Sequence, residues 1–344
     1  MTTPVRRLDV GAVSPLRSQA LYHGLAEAMD EETPDSVIFC SPAAPYLCVG
    51  YHQTADEVLD LEVCRRAGWP VLRRKIGGGA VYLDEAQLFY QVVVHRRRAP
   101  FSVVDTYRAY LAAPVLALRR LGLPAGLSGV NEVEVRGRRI AGTGGGQLGE
   151  AVVVVGNVLF DFPRARMTRA WRVPSVPFRR LAGDGLRRYL TTLRHELPAT
   201  PPMATVADLL ADCYAETLGR PVVPGRLTAR EAAMVARAEA ELASEAFVLQ
   251  RTAAPARGLK IARGVFIREA TVSGPGGPFR LTVRLRDGVI DAVAVTPPRR
   301  EDLARRLLGA RLCPDVLAAR LGEAPEGLPV IEALLALSHG GEPR

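Results

Sequence analysis

Between Val71 and Tyr90 the chain reads VLRRKIGGGAVYLDEAQLFY, with Arg73, Arg74 and Lys75 placed just before Gly77, Gly78 and Gly79. Without β-carbons, three glycines let the backbone approach an anion closely, and nearby guanidinium groups offer forked donors to phosphate or carboxylate oxygens. The same residues also suit a tight turn with solvated arginines. Their spacing is neither that of a P-loop nor that of a GxGxxG dinucleotide turn. A second ligand-compatible stretch, GVNEVEVRGRRIAGTGGGQLGEAVVVVGNVLF, follows at Gly129–Phe160. There Asn131 and Glu132 have the atoms to orient or charge-balance a metal–phosphate group, Arg139 can hold an anion, and Gly142–Gly146 leave room for another section of ligand. Read structurally instead, Asn131 is a turn residue, Glu132 the wet side of a strand and the glycines a flexible hairpin.

Taken together, RRKIGGGAVYLD and NEVEVRGRRIAG resemble the paired active-site motifs of the lipoate–protein ligase group within the biotin/lipoate protein ligase family. The likeness runs from the amino-terminal SQALYHGLAEAM through the central motifs to a carboxy-terminal part similar to the ligase accessory domain. It implies an α+β fold, with a mixed-sheet catalytic domain and a smaller C-terminal α+β accessory domain. It also implies ATP-dependent activation of lipoate to lipoyl-AMP. Transfer would follow to a lysine on the lipoyl-acceptor domain of a metabolic enzyme or a related small lipoyl-carrier protein. By the same resemblance, Arg73 and the backbone of Gly77, Gly78, Gly79, Ala80 and Val81 fall on the nucleotide-binding segment. Asn131 and Glu132 fall on the Mg2+-associated pair that faces the nucleotide, and Arg139 falls on the catalytic lysine that contacts the reacting oxygens.

Four positions depart from the family pattern. Ile76 stands where Ser or Thr commonly precedes the glycines, and Leu83 where His commonly follows the aromatic residue, so two polar handles are lost. Glu132 replaces the usual aspartate and keeps its charge on a longer arm. Arg139 replaces the lysine of GRKIAG; its wide planar head still neutralises an anion, but a misplacement of about 1 Å can cost about 10²-fold in rate. Lys75 either reaches the same pocket in compensation or lies on the surface. Two other functions stay open: a noncatalytic lipoate- or lipoyl-protein-binding module, and an acyltransferase using octanoyl groups. Transfer from a carrier ordinarily benefits from a cysteine nucleophile, and no cysteine lies between Cys64 and Cys213.

The elements that must position these residues can be read from apolar spacing. Ser14 and Pro15 open a helix with apolar groups at Leu16, Ala20, Leu21, Leu25 and Ala28. Short strands are expected at Val37–Cys40 and Tyr46–Gly50, a helix over Asp56–Ala67, and a strand, glycine turn and strand across the opening motif. Leu88–Val94 reads as a buried strand, Phe101–Leu121 as a helix kinked or divided at Pro114. Glu132–Val135, Arg138–Gly142 and Ala151–Phe162 read as sheet elements around turns at Gly137 and Thr143–Gly149. Helices are expected from Val206, then strands at Gly264–Val272, Phe279–Leu285 and Val289–Val295. Short helices at Glu301–Leu308 and Pro314–Leu321 end the series. The resulting division is a catalytic domain over 1–205, a helix and linker over 206–226, and an accessory domain over 227–344.

With 344 residues, 48% hydrophobic and 24% charged, the chain is long enough for a large and a small folded domain. The formal charge is +9, yet only Lys75 and Lys260 are lysines; so arginine-rich a composition makes the positive balance a weak argument for nucleic acid. Five widely spaced cysteines without a CxxC pair argue against a disulfide framework or structural zinc and favour a reducing compartment. No leader pattern or membrane-length apolar run is visible, so a cytoplasmic location is expected.

Overall fold

The computed structural model describes residues 3–252, 258–297, 300–322 and 324–338. It divides into two units, Met1–Ala170 with Leu190–Ala254, and Trp171–Tyr189 with Pro255–Arg344.

The first unit opens with β1 (Val5–Val13) and α1 (Pro15–Ala28). The Ser14 side chain accepts the Arg17 N–H, and Pro15 sits in the first turn, where its missing N–H leaves no bond unmade. Next come β2 (Ser36–Pro42), β3 (Tyr46–Val49), α2 (Ala55–Val58) and α3 (Leu61–Arg66). The single helix expected over 56–67 is thus two, because the Asp60 carboxylate accepts from Val63 N–H and starts a new helix. β4 (Val71–Arg73) and β5 (Val81–Leu83) flank the glycine loop and pair on either side of β3.

β6 (Gln87–His95) is buried throughout. Its Leu88, Tyr90, Val92 and Val94 enter one core while Phe89 and Val93 enter another, the alternation of a strand covered on both faces. There follow α4 (Val103–Arg120), β7 (Ala125–Ser128), β8 (Glu132–Val135), β9 (Arg138–Leu148) and β10 (Ala151–Leu159). Pro114 lies inside α4 without dividing it. β9 continues through its glycines, so the turn expected over 143–149 contracts to the hairpin at Gly149, whose φ is +57°. The remaining elements before the second unit's sheet are α5 (Arg164–Ala170), α6 (Val176–Tyr189), α7 (Leu193–Glu196), α8 (Met203–Leu218), β11 (Val222–Pro224), α9 (Ala229–Leu242) and α10 (Glu245–Val248). The main sheet is mixed and eight-stranded, ordered β11-β1-β2-β6-β10-β9-β8-β7, with β1 parallel to both neighbours and the later pairs antiparallel.

The division expected at 205 and 227 differs from the observed one because both faces of this sheet need cover. α8 carries Val206, Leu210 and Tyr214 into the core shared with α4, and α9 carries Val235, Ala238 and Leu242 into the core shared with α1. α1 and α9 touch so closely that a β-carbon on Gly24 would lie 2.4 Å from the Val235 nitrogen. Residues 171–189 go the other way: Gly185 of α6 packs against Ile261, and the Tyr189 hydroxyl donates to the Asp291 carboxylate.

In the second unit β12 (Leu259–Ala262), β13 (Val265–Gly274), β14 (Gly277–Arg286) and β15 (Val289–Thr296) form an antiparallel sheet in that order. α11 (Glu301–Leu307), α12 (Pro314–Leu321) and α13 (Gly327–Ser338) complete it, with Leu281, Val283, Leu303, Leu317 and Leu334 in its core. β12 and α13 have no counterpart in the sequence-based expectation.

Replacing Gly24 by Ala should lower the unfolding free energy by about 2 kcal/mol through overpacking at the α1–α9 crossing. Chemical denaturation checks this; a change below about 0.5 kcal/mol would contradict the close approach.

Candidate active site

The glycine loop is built around Arg74. Its guanidinium donates to the carbonyls of Gly77 at 2.9 Å, Gly79 at 2.9 Å and Cys48 at 3.2 Å. Gly78 has φ +104°, and a β-carbon there would stand 2.6 Å from the Arg74 Nη2, so both backbone angle and space require glycine.

Arg73, expected to contact nucleotide, is fully buried. Its Nε and both terminal nitrogens donate to main-chain carbonyls, among them Phe247 at 2.8 Å, Tyr51 at 2.9 Å, Gln53 at 2.5 Å and Gln250 at 2.7 Å. A guanidinium so engaged has no face left for a phosphate, and the expectation is corrected: Arg73 is part of the scaffold. Lys75 is likewise no substitute for the missing lysine, since its ammonium bridges Glu27 at 2.8 Å and Glu241 at 2.7 Å.

The second stretch is shaped by two features. Arg136 and Gly137, with φ +51° and +71°, close the β8–β9 hairpin in a two-residue turn. The register then slips by one: Glu132 and Val133 face Gly142 and Ala141, but Glu134 faces Arg139, leaving Ile140 as an extra residue. Cross-strand partners share a face, as do residues two apart, so the bulge turns Arg139 to the side that carries Glu132, Glu134 and Gly142. On that side the Arg139 Nη1 lies 3.6 Å from the Glu132 Oε1. The Arg139 Nε is buried with no hydrogen-bond partner.

Farther along the same side, a β-carbon on Gly144 would stand 3.3 Å from the Ile76 Cδ1 and 3.6 Å from the Gly77 carbonyl oxygen. One on Gly146 would stand 3.7 Å from the Ile76 Cγ2. The two glycine segments therefore meet. From Arg139 to Gly144 is roughly 15 Å of strand, the length scale of an acyl adenylate. Ile76 and Leu83, the apolar departures from the family pattern, are both buried in the core on this side of the sheet.

Other groups, not singled out by their spacing, stiffen the site. The Tyr107 hydroxyl of α4 lies near the Asn131 side chain, and the Thr143 hydroxyl donates to the Asn131 carbonyl. The Asn157 Oδ1 accepts the Gly142 N–H at 3.2 Å; its amide donates to Gln87, which in turn donates to the Asp84 carboxylate at 3.2 Å. Burial pushes the Asp84 carboxyl upward, against the hydrogen bonds it accepts from Ala86 and Gln87. His23 is buried in α1; its Nδ1 is paired with the Gln19 carbonyl at 2.7 Å, and its Nε2 accepts the Lys75 N–H at 3.0 Å. The links from Asn157 to Gly142 and Gln87, from Thr143 to Asn131 and from Lys75 to His23 join separate strands, helices or loops and so had no short-range signal.

The fit to Mg2+ is that of one buried carboxylate, Glu132. Among the described residues no group of three or more His, Cys, Asp or Glu side chains could hold a metal. That suits an ion carried in on phosphates, which needs one or two protein carboxylates, and not a closed protein cage. Cys40, Cys48 and Cys64 are buried, and burial pushes the Cys40 thiol to about 12 and the Cys64 thiol to about 11.

The family model for the lipoyl protein ligase A/B catalytic domain matches residues 14–215, more than half of the chain, and the protein belongs to that family. An octanoyltransferase LipM from Symbiobacterium thermophilum is 28% identical over 255 residues, spanning 67% of this chain and 92% of its own. The bi-partite lipoate protein ligase of Thermoplasma acidophilum superposes with a TM-score of 0.67 at 22% identity, over 73% of this chain and 99% of that one. A lipoate-protein ligase A bound with ATP gives 0.61 at 20% identity, over 72% and 99%. The expected mixed-sheet α+β fold is thus the observed one. No helix among the described residues is long and apolar enough to cross a membrane.

Two tests follow from the loop's supports. Gly78→Ala should destabilise the loop by about 1–3 kcal/mol of local strain, detected as faster amide exchange over 76–81 with the β6 amides unchanged. His23 has its pKa lowered from 6.5 to about 3 by burial. The unfolded chain then takes up a proton that the folded one refuses, so this contribution to stability is complete above about pH 6.5 and is lost as pH falls toward 3. Between pH 6 and 4, unfolding free energy should fall more steeply than in His23→Gln by roughly 1.4 kcal/mol per pH unit; parallel curves would refute it.

Proposed function

We propose that the protein activates the carboxylate of lipoate, or of a similar medium-chain acid, with ATP and passes the acyl group to a lysine of a lipoyl-acceptor domain. The observation that carries this reading is the continuous face on which Glu132, Arg139, Gly142, Gly144 and Gly146 run from the hairpin to the Ile76–Gly79 loop. An extended ligand with an anionic centre and an apolar tail matches its length and chemistry. ATP occupies the ligase A structure whose fold this chain shares, and the Thermoplasma ligase has an E2 lipoyl domain as its protein partner.

In the first half-reaction a carboxylate oxygen of the acid attacks the α-phosphorus of ATP, and pyrophosphate leaves. The amine of the acceptor lysine then attacks the acyl carbonyl, AMP leaves, and an amide remains. Arg139 is the cation that faces the reacting oxygens, and its forked donors stabilise charge that grows in both transition states. Gly77, Gly78, Gly79, Ala80 and Val81 supply the backbone along which the nucleotide lies. Glu132 would hold Mg2+ through one carboxylate, with Asn131 fixed beside it; the ion supplies neutralisation of phosphate charge when bound. Excluding water from this face strengthens each of these interactions.

A second reading, octanoyl transfer from a carrier, is favoured by the similarity to LipM. A thioester route needs a reachable thiolate, and Cys48 on β3, whose carbonyl is bonded by Arg74 at the base of the loop, is fully buried with its thiol pushed up by burial.

Incubating the purified protein with ATP, Mg2+ and lipoate or octanoate should yield an acyl-AMP mass. Acyl transfer from an octanoyl carrier protein without ATP would select the second reading instead, and lipoate binding with neither reaction would leave a noncatalytic module. Arg139→Ala should lower kcat/KM for adenylation by roughly 10²-fold, whereas Arg139→Lys should preserve or raise it. A large loss in a well-folded Arg139→Lys protein would mean that the site is adapted to the guanidinium.

A further inference from the structure

The family match ends at residue 215, yet the base of the glycine loop is held in part by residues beyond it. Arg73 donates to the carbonyls of Phe247, Val248 and Gln250 at 2.8, 3.0 and 2.7 Å, which caps the carboxy-terminal end of α10. The same guanidinium reaches Gly50, Tyr51 and Gln53 on the other side. Two residues on, the Lys75 ammonium joins Glu27 of α1 to Glu241 of α9, while the Lys75 N–H is held by His23.

α9 and α10 are themselves anchored to the sheet side of the unit. Glu231 at the start of α9 receives Arg6 of β1 at 2.5 Å, both side chains being buried. After α10, the Thr252 N–H and hydroxyl are held at 3.1 and 2.8 Å by Thr54 and the His52 carbonyl. The chain from 229 to 252 thus lies tied down at both ends, with the loop's two flanking cations bonded to its middle. Ile76 and Gly77, the residues that meet β9, follow directly on these anchored positions.

A run with three glycines has much backbone freedom to lose on ordering, so a ligand that had to order it would bind correspondingly weakly. We propose that residues 229–252 form a strap that holds the glycine loop in its ligand-ready conformation, with Arg73 and Lys75 as positioning residues. Affinity for nucleotide is then set in part by a segment outside the matched catalytic domain. The positioning role rests on the loop being the nucleotide segment; the strap itself does not.

The test uses the full chain and two readouts, amide exchange of the peptide covering 76–81 and the Kd for ATP with Mg2+. Lys75 is partly exposed, so Lys75→Met should fold. It should speed exchange at 76–81 by about tenfold and weaken ATP by about three- to tenfold, leaving β6 and β10 exchange unchanged. Lys75→Arg, which can keep both carboxylate partners, should restore both readouts, and Arg73→Lys should move them further in the same direction as Lys75→Met. Unchanged exchange at 76–81 in folded Lys75→Met and Arg73→Lys would overturn the strap. Faster exchange with unaltered ATP affinity would overturn the positioning role. Absence of ATP binding in the parent protein would instead remove the nucleotide reading of the loop, and the exchange comparison alone would still decide the strap.

Discussion

The site depends on one close approach: a strand bare of side chains on one face lying against the Ile76 side chain and the backbone of the glycine loop. Gly144 and Gly146 of β9 leave only van der Waals room for Ile76 and the Gly77 carbonyl. A β-carbon at 144 would stand 3.3 Å from the Ile76 Cδ1, so the Ile76 side chain would have to give way to admit it. The β8–β9 bulge matters for the same face, because without the extra residue Ile140 the pleat would aim Arg139 into the opposite core. Backbone geometry thus brings the two motifs into contact.

Electrostatics then separates scaffold from chemistry. Of the four cations in the two motifs that the sequence offers as anion binders, three are engaged within the protein. Arg73 and Arg74 bind main-chain carbonyls, and Lys75 binds two glutamates. Arg139 alone of these has a partly exposed guanidinium, and its partner Glu132 is a carboxylate at 3.6 Å, not an ideal hydrogen bond. A pair held that loosely can reorganise around a phosphate, whereas the carbonyl-saturated Arg73 cannot leave its place without exposing several main-chain acceptors.

Buried polar links tie these parts into one unit. The chain Asp84–Gln87–Asn157 ends on the Gly142 N–H, Tyr107 meets Asn131, and His23 meets Lys75. Each satisfies donors and acceptors that would otherwise be stranded inside, which rigidifies the face that a ligand would contact.

What the sequence determined by itself was local: the Ser14 cap and α1, the buried alternation of β6, the EVEV strand, the Arg136–Gly137 hairpin and the glycine-rich character of both motifs. It carried the resemblance to the family's motifs as well, because residue type and short spacing are written directly in it. Tertiary structure decided which cations face solvent, since three of the carbonyls that engage Arg73, those of Phe247, Val248 and Gln250, lie more than 170 residues away. It also decided that α8 and α9 belong with the first sheet and residues 171–189 with the second. An amphipathic helix specifies that one face must be covered, and only packing specifies by what.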